Sequence, residues 1–310
     1  MSPMAKAVEE YLALRRALGF ELRGSAGLLR SFAHYLEQQG ASHVSIELAL
    51  RWAKQPTEAQ PVWWANRLGV VRRFAQYLSA SDPRTEIPPM GLLPFRYRRK
   101  SPYLYSDAEV RALVSAASRI ASPTGLRAAT YSTLIGLLAV SGLRISEAIG
   151  LNDRDVDLAG GVFTIRRTKF GKSRLVPLHR STTRALRRYV RLRNRIHRVK
   201  ACDSFFVGER GRRLNQWTVR WTFNKLSRGT GLRGATDRRG PRLHDFRHRL
   251  AVKTLVQWYR RGVDVERQLP VLSTYLGHGH VTDTYWYLTA VPELLRLAAE
   301  RLEARGGRQL

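Results

Sequence analysis

Five prolines, Pro83, Pro88, Pro89, Pro94 and Pro102, fall between Ser81 and Tyr103, with Gly91 among them. Proline has no backbone N–H to donate, so such a stretch is neither a regular helix nor a central strand. The chain is therefore cut in two. The same stretch carries Arg96, Arg98, Arg99 and Lys100, and it reads as an extended basic linker over residues 82–103. A long surface loop is the other reading.

Residues 1–81 read as a small all-helical unit. Leu28, Leu29, Phe32, Tyr35 and Leu36 recur at helical spacing and Gly40 follows as a stop. Leu68, Val71, Ala75 and Leu78 form a second stripe, and Ser45 is a candidate N-cap for a helix through Trp52. Arginines stud these helices, among them Arg15, Arg16, Arg23, Arg67, Arg72 and Arg73.

Residues 104–310 read differently. Ser106 with Glu109 three residues on is a capping box. Helices are expected through Leu113 and from Tyr131 to Val140, before Gly142 breaks the pattern. Val162–Arg167 and Arg174–Leu178 are short and β-rich, with Lys169-Phe170-Gly171-Lys172 between them, which predicts a hairpin. Helices then return over residues 181–200, 217–226, 242–258 and 269–275. A last amphipathic helix begins near Pro292 and packs either on its own domain or on a neighbouring subunit.

The chain of 310 residues is 44% apolar, enough for a folded core in each part, yet its net charge is +30. A surplus that large repels itself, so a polyanionic partner is expected. Residues 158–202 hold no acidic side chain, and residues 166–200 hold fourteen Lys or Arg. Duplex DNA is the leading candidate and a membrane surface the weaker one. The longest apolar run, Leu134 to Val140, is far short of the about 20 residues that cross a bilayer. The single cysteine, Cys202, excludes an internal disulfide framework and any multi-cysteine zinc site. With no signal-peptide pattern at the N-terminus, a reducing, cytoplasmic setting is expected.

The candidate chemistry is spread along the chain. Arg144 follows the Gly142 break, and Arg247 lies three residues after His244 on one helical face. Guanidinium grips phosphate oxygens in pairs and stays charged, so two arginines on one phosphate can steady a pentacoordinate transition state. Lys169, at the hairpin turn, can protonate a leaving alkoxide, where the bland alternative is a lysine that touches DNA backbone. His278 follows a helix-ending glycine, and Tyr287 comes nine residues later beside Tyr285 and Trp286. A phenol needs cations nearby to become a nucleophile. The segment His244-Asp245-Phe246-Arg247-His248 also admits a zinc reading through histidines at i and i+4, although Asp is shorter than the usual Glu and Arg247 is a poor neighbour for a dication.

Together and in order, SGLRISEAIGL, TKFGKSRLVPL, LHDFRH, and LGH with Tyr287 nine residues on resemble the motifs of the tyrosine recombinase (integrase) family, over about residues 105 to 300. The inserted-looking WYRRGVDVERQLP lengthens one interval and is similar to a subgroup carried by mobile elements. The resemblance implies a mainly α protein with a small β-sheet or hairpin: a helical core-binding domain at 1–81 and an α+β catalytic domain at 104–310. It implies that Tyr287 attacks phosphorus to form a 3′-phosphotyrosine. Arg144 and Arg247 hold the non-bridging oxygens, Lys169 protonates the 5′ oxygen, His244 moves the tyrosine proton, His278 bonds the phosphate, and Glu147 orients the site.

It implies no metal or other cofactor, double-stranded DNA as substrate, a homotetramer on DNA, and room for helper recombinases or accessory proteins, in a bacterial cytoplasm at the nucleoid. The basic side chains expected on DNA are Arg72, Arg73, Arg98, Arg99, Lys100, Lys172, Arg174 and Arg242. Competing readings are a type IB topoisomerase, a metal-dependent nuclease built on His244 and His248, and a non-catalytic architectural DNA-binding protein.

Overall fold

The computed structural model describes residues 2–95, 102–166, 173–199, 201–237, 240–289 and 291–306. The chain divides into two compact units, residues 1–100 and 101–310. Among the described residues no helix is long and apolar enough to cross a membrane.

The described residues of the first unit form helices α1 (Pro3–Ala17), α2 (Arg23–Gln38), α3 (Ile46–Lys54) and α4 (Pro61–Leu78). Their starts are encoded locally. The Ser2 and Ser45 hydroxyls accept backbone N–H groups of Ala5 and Leu48, and Pro3 and Pro61 open their helices. Leu29, Phe32, Leu36, Trp52, Leu68, Val71 and Phe74 fill the core.

The proline-rich segment has no helix or strand through residue 95, as its prolines require, but it packs onto this unit. Leu93 is buried in the core, and Arg72 donates to the carbonyls of Pro88 and Pro89 at 2.6 and 2.7 Å. Arg67, by sequence one more surface arginine, lies 3.7 Å over the Trp52 ring and donates to the Trp52 carbonyl.

The second unit runs α5 (Asp107–Ser118), α6 (Leu126–Ser141), α7 (Ile145–Gly150), β1 (Val156–Asp157), β2 (Val162–Ile165), β3 (Arg174–Pro177), α8 (Arg180–Ile196), α9 (Gln216–Gly229), α10 (Asp245–Arg260), α11 (Val265–Leu276), α12 (Thr282–Thr289) and α13 (Pro292–Gly306). The Ser106–Glu109 capping box is present with both bonds made. Apolar α6 is the central helix and packs against α5, α8 and α10. The hairpin is antiparallel, with Ile165 opposite Arg174, and β1 extends it to three strands. Helix α11 begins earlier than the sequence pattern indicated. Asp264 caps it at the Arg267 N–H, and Pro270 lies inside it. Helix α13 packs in cis on α10, burying Leu294.

Candidate active site

The site is assembled around two glycine turns that end helices. Gly142 closes α6 at φ +60°, and Gly277 closes α11 at φ +67°. Both are left-handed conformations that favour glycine. A Cβ on Gly277 would also sit 2.6 Å from the Arg174 guanidinium, and one on Gly142 would sit 2.7 Å from Leu250.

The last turn of α11 leaves carbonyls that the helix itself cannot satisfy. Three arginines satisfy them. Arg174 Nε donates to the Tyr275 carbonyl at 2.8 Å, Arg247 donates to the Leu276 carbonyl, and Arg144 Nη2 donates to the Gly277 carbonyl at 3.0 Å. Arg247 Nη1 also reaches the Gly142 carbonyl at 3.0 Å. The negative end of a helix dipole thus gathers three cations that would otherwise repel one another.

Glu147 completes the clamp. Its Oε1 accepts Arg144 Nη1 at 2.8 Å and Arg174 Nη1 at 3.0 Å, while its Oε2 accepts Arg174 Nη2 at 2.9 Å. The same carboxylate caps α7 by accepting the Arg144 N–H. Burial opposes its charge, but the Arg174 and Arg144 bonds hold its pKa below the usual carboxylate value. Arg247 is 1% exposed. Burial, and then the Arg144 charge, lower its pKa to about 10, so it remains a cation at neutral pH.

His244 stands at the N-terminus of α10. Part of its surface meets solvent, but surrounding protein and then the Arg247 charge push its pKa down to about 4. It is a neutral imidazole at pH 7. One turn on, His248 is buried and its Nδ1 lies 3.1 Å from the Tyr287 hydroxyl. Its Nε2 is 4.0 Å from Asp245. The Tyr287 ring is 1% exposed and stacks on His278 at 6.2 Å between centroids, and His278 Nδ1 pairs with the Thr284 hydroxyl at 2.8 Å. Tyr285 is 44% exposed and takes no part in this cluster.

Residues 104–293 match the phage integrase family. The chain belongs to the phage integrase family. It is 52% identical to the putative integrase/recombinase y4rB of Sinorhizobium fredii over 98% of both chains. In fold it is similar to the integrase of transposon Tn1549 solved with transposon right end DNA (TM-score 0.64, 18% identity, 96% of this chain and 99% of that one). It is also similar to the XerH site-specific recombinase bound to difH (TM-score 0.66, 18% identity, 90% and 78%). The mainly helical architecture with a small antiparallel sheet is that of the tyrosine recombinases, and the enzyme is a tyrosine site-specific recombinase.

Within this recombinase the structure brings together Arg144, Glu147, His244, Arg247, His278 and Tyr287. Lys169 and Lys172, with Arg98, Arg99 and Lys100, lie outside the described residues. The described strand residues nearest the lysine segment are Ile165 and Arg174, which pair across the sheet, and Arg174 bonds Glu147. Arg174, expected on DNA, has a side chain 8% exposed that donates through Nη1 and Nη2 to Glu147 and through Nε to the Tyr275 carbonyl. Arg72 likewise spends its donors on Pro88 and Pro89. Arg73 is exposed, and Arg242 is exposed while bonded to Asp245.

Two residues of the cluster went unread as such in the sequence. Arg174 carried no signal that separates it from its basic neighbours. His248 did stand one helical turn after His244, but that spacing suggested a metal ligand rather than a partner for Tyr287. Among the described residues no three His, Cys, Asp or Glu side chains come together as a metal site.

Proposed function

We propose that this recombinase cuts and rejoins duplex DNA through a covalent 3′-phosphotyrosine at Tyr287, without metal or ATP. The observation that carries this is the convergence of Arg144 and Arg247 on the backbone at residues 276–277, directly before His278, against which the Tyr287 ring stacks. Two fixed guanidinium groups offer the planar donors that phosphate oxygens accept. They stabilise the charge that builds on phosphorus where other enzymes place a cation.

In the step itself the Tyr287 oxygen forms a bond to phosphorus, and the bond from phosphorus to the 5′ oxygen breaks. The phenolic proton passes to an imidazole: His248 already touches the hydroxyl, and His244 is neutral and able to accept. Lys169 returns a proton to the 5′ oxygen. The phosphotyrosine keeps the energy of the broken bond, so the 5′-hydroxyl of a partner strand reverses the step. The Tyr287 hydroxyl is buried beside His248, its proton acceptor.

Exchange between two duplexes needs four such centres, and a homotetramer on DNA in the bacterial cytoplasm is the working assembly. The similarity to an integrase of a transposon favours a role in moving a mobile element, with accessory proteins setting direction. Arg73 and Arg242, with Arg98, Arg99, Lys100 and Lys172, meet DNA phosphates, so binding weakens steeply with salt.

The test is a nicked suicide substrate built from the DNA flanking the gene. Wild-type protein and Tyr285→Phe form a covalent adduct in EDTA with no nucleotide added, and Tyr287→Phe forms none. An adduct with Tyr287→Phe refutes the assignment. Loss of cleavage in EDTA revives the metal-dependent nuclease, and wild-type function that survives Arg144→Ala and Tyr287→Phe together marks an architectural protein. Relaxation of supercoils without strand exchange marks a topoisomerase.

A further inference from the structure

Helix α8 carries an arginine stripe that the catalytic centre does not use. Arg180, Arg184, Arg187, Arg191 and Arg195 recur at helical spacing, and Arg188 stands beside them. At about 100° per residue they share one arc of the helix, and at 1.5 Å per residue they span about 22 Å. All six are exposed. None of them pairs with a carboxylate among the described residues, and the one fixed contact is Arg187 on the Leu158 carbonyl at 2.7 Å. Together with the turn at Leu158–Gly161 and Leu178, this face walls an open cleft of about 840 Å³.

The stripe looks away from the site. The buried residues of α8, Leu186 and Tyr189, lie on the opposite arc, and α6 packs against both α8 and the catalytic helix α10. Strand β3 has Arg174 at its catalytic end and leads into α8 from its other end. No residue of the stripe belongs to the cluster around Tyr287.

We propose that this face of α8 binds a second segment of duplex DNA, separate from the one being cut. Unpaired arginines in a row match a phosphate backbone, which carries about one negative charge per 1.7 Å of duplex axis. An acidic protein surface would be expected to find aromatic or aliphatic anchors here. The exposed face of α8 offers none, only Arg, Ser181 and Asn194. Interfaces of that polar, strongly positive kind are those made with nucleic acid. The inference rests on the recombinase reading only for the choice of polyanion.

The test uses Arg180→Gln, Arg184→Gln and Arg191→Gln combined, in the full chain, with an unchanged melting temperature as the folding control. A labelled non-site duplex is titrated into protein already saturated with a short nicked site duplex, at rising salt. Wild type takes up the second duplex. The triple variant loses at least tenfold in that affinity, with a salt slope lower by about 2.7 if each arginine meets one phosphate. Adduct yield on the short duplex stays at the wild-type level.

Unchanged uptake of the second duplex overturns the proposal. So does an adduct yield that falls in step with it, which would put the stripe on the first duplex. Polyglutamate that displaces the second duplex better than unlabelled DNA of equal charge would mark an acidic protein partner and also overturn it. If wild type forms no adduct at all, the cleavage chemistry fails, while the titration still decides the stripe.

Discussion

The His248 imidazole meets the Tyr287 hydroxyl across 39 residues of chain, at 3.1 Å and out of contact with solvent. A buried phenol paired to an imidazole has a proton acceptor within hydrogen-bond reach. His248→Asn keeps a polar side chain of similar size but cannot take a proton. Its adduct formation is expected to slow by about 10²-fold or more while affinity for DNA holds. Single-turnover cleavage and a binding titration on the same duplex check this. Equal cleavage rates would leave His244 as the sole acceptor.

Glu147→Gln removes the one carboxylate between two guanidinium groups. Arg174 is then a buried cation with only a carbonyl and an amide for partners. Breaking a buried pair in this way costs about 3 kcal/mol or more, which lowers the melting temperature by roughly 6–12 °C for a unit of this size. Thermal unfolding reads the effect directly, and an unchanged midpoint would refute the clamp.

Gly277→Ala tests the helix end. The added Cβ needs the space that the Arg174 guanidinium occupies, at a φ that alanine rarely adopts. The expected result is a loss of about 1–3 kcal/mol in stability and cleavage that falls further than stability alone explains. Arg144 and Arg247 hang from the same turn.

Stability is expected to decline from pH 6.5 downwards. His244 has a pKa of about 4 in the folded protein against 6.5 as the ordinary value, so the unfolded chain takes up its proton first as pH falls. Its contribution is complete above pH 6.5 and is lost toward pH 4. Glu147, lowered from 4.5, adds a loss below that value as its carboxylate is protonated. His244→Asn should flatten the melting temperature between pH 6.5 and 4 and leave the steeper fall below 4.5 in place.

Removing α13 is expected to destabilise the monomer. Leu294 is 1% exposed against α10 and α12, and Leu294→Ala alone should cost about 2–4 kcal/mol. A helix whose role was confined to a neighbouring subunit would leave the monomer's melting temperature unchanged on truncation after Thr289.

Much of the fold was legible along the chain. The capping box at Ser106, the glycine stops at Gly142 and Gly277, the proline at the head of α13 and the hairpin all depend on residues within a few positions of one another. The motif residues Arg144, Arg247, His278 and Tyr287 were legible as well, because each sits in a short distinctive segment. Arg67 and Arg174 were not. Nothing within four residues of either says that one lies over Trp52 and the other grips Glu147. His248 was visible but given no role, since its spacing from His244 fits a metal ligand and a tyrosine partner equally well.

The residues by themselves determined the helices, their caps, the break at the prolines and the demand for a polyanionic partner, because those follow from interactions between near neighbours and from summed charge. Tertiary structure alone decided which of the many arginines are buried in the site and which stay on the surface. The bonds that sort them join Arg174 to Glu147 over 27 residues, Arg247 to Gly142 over 105 and Arg144 to Gly277 over 133. No local pattern encodes a partner at such separations. A buried guanidinium is stable only where the folded chain delivers a carboxylate or a free helix end to it.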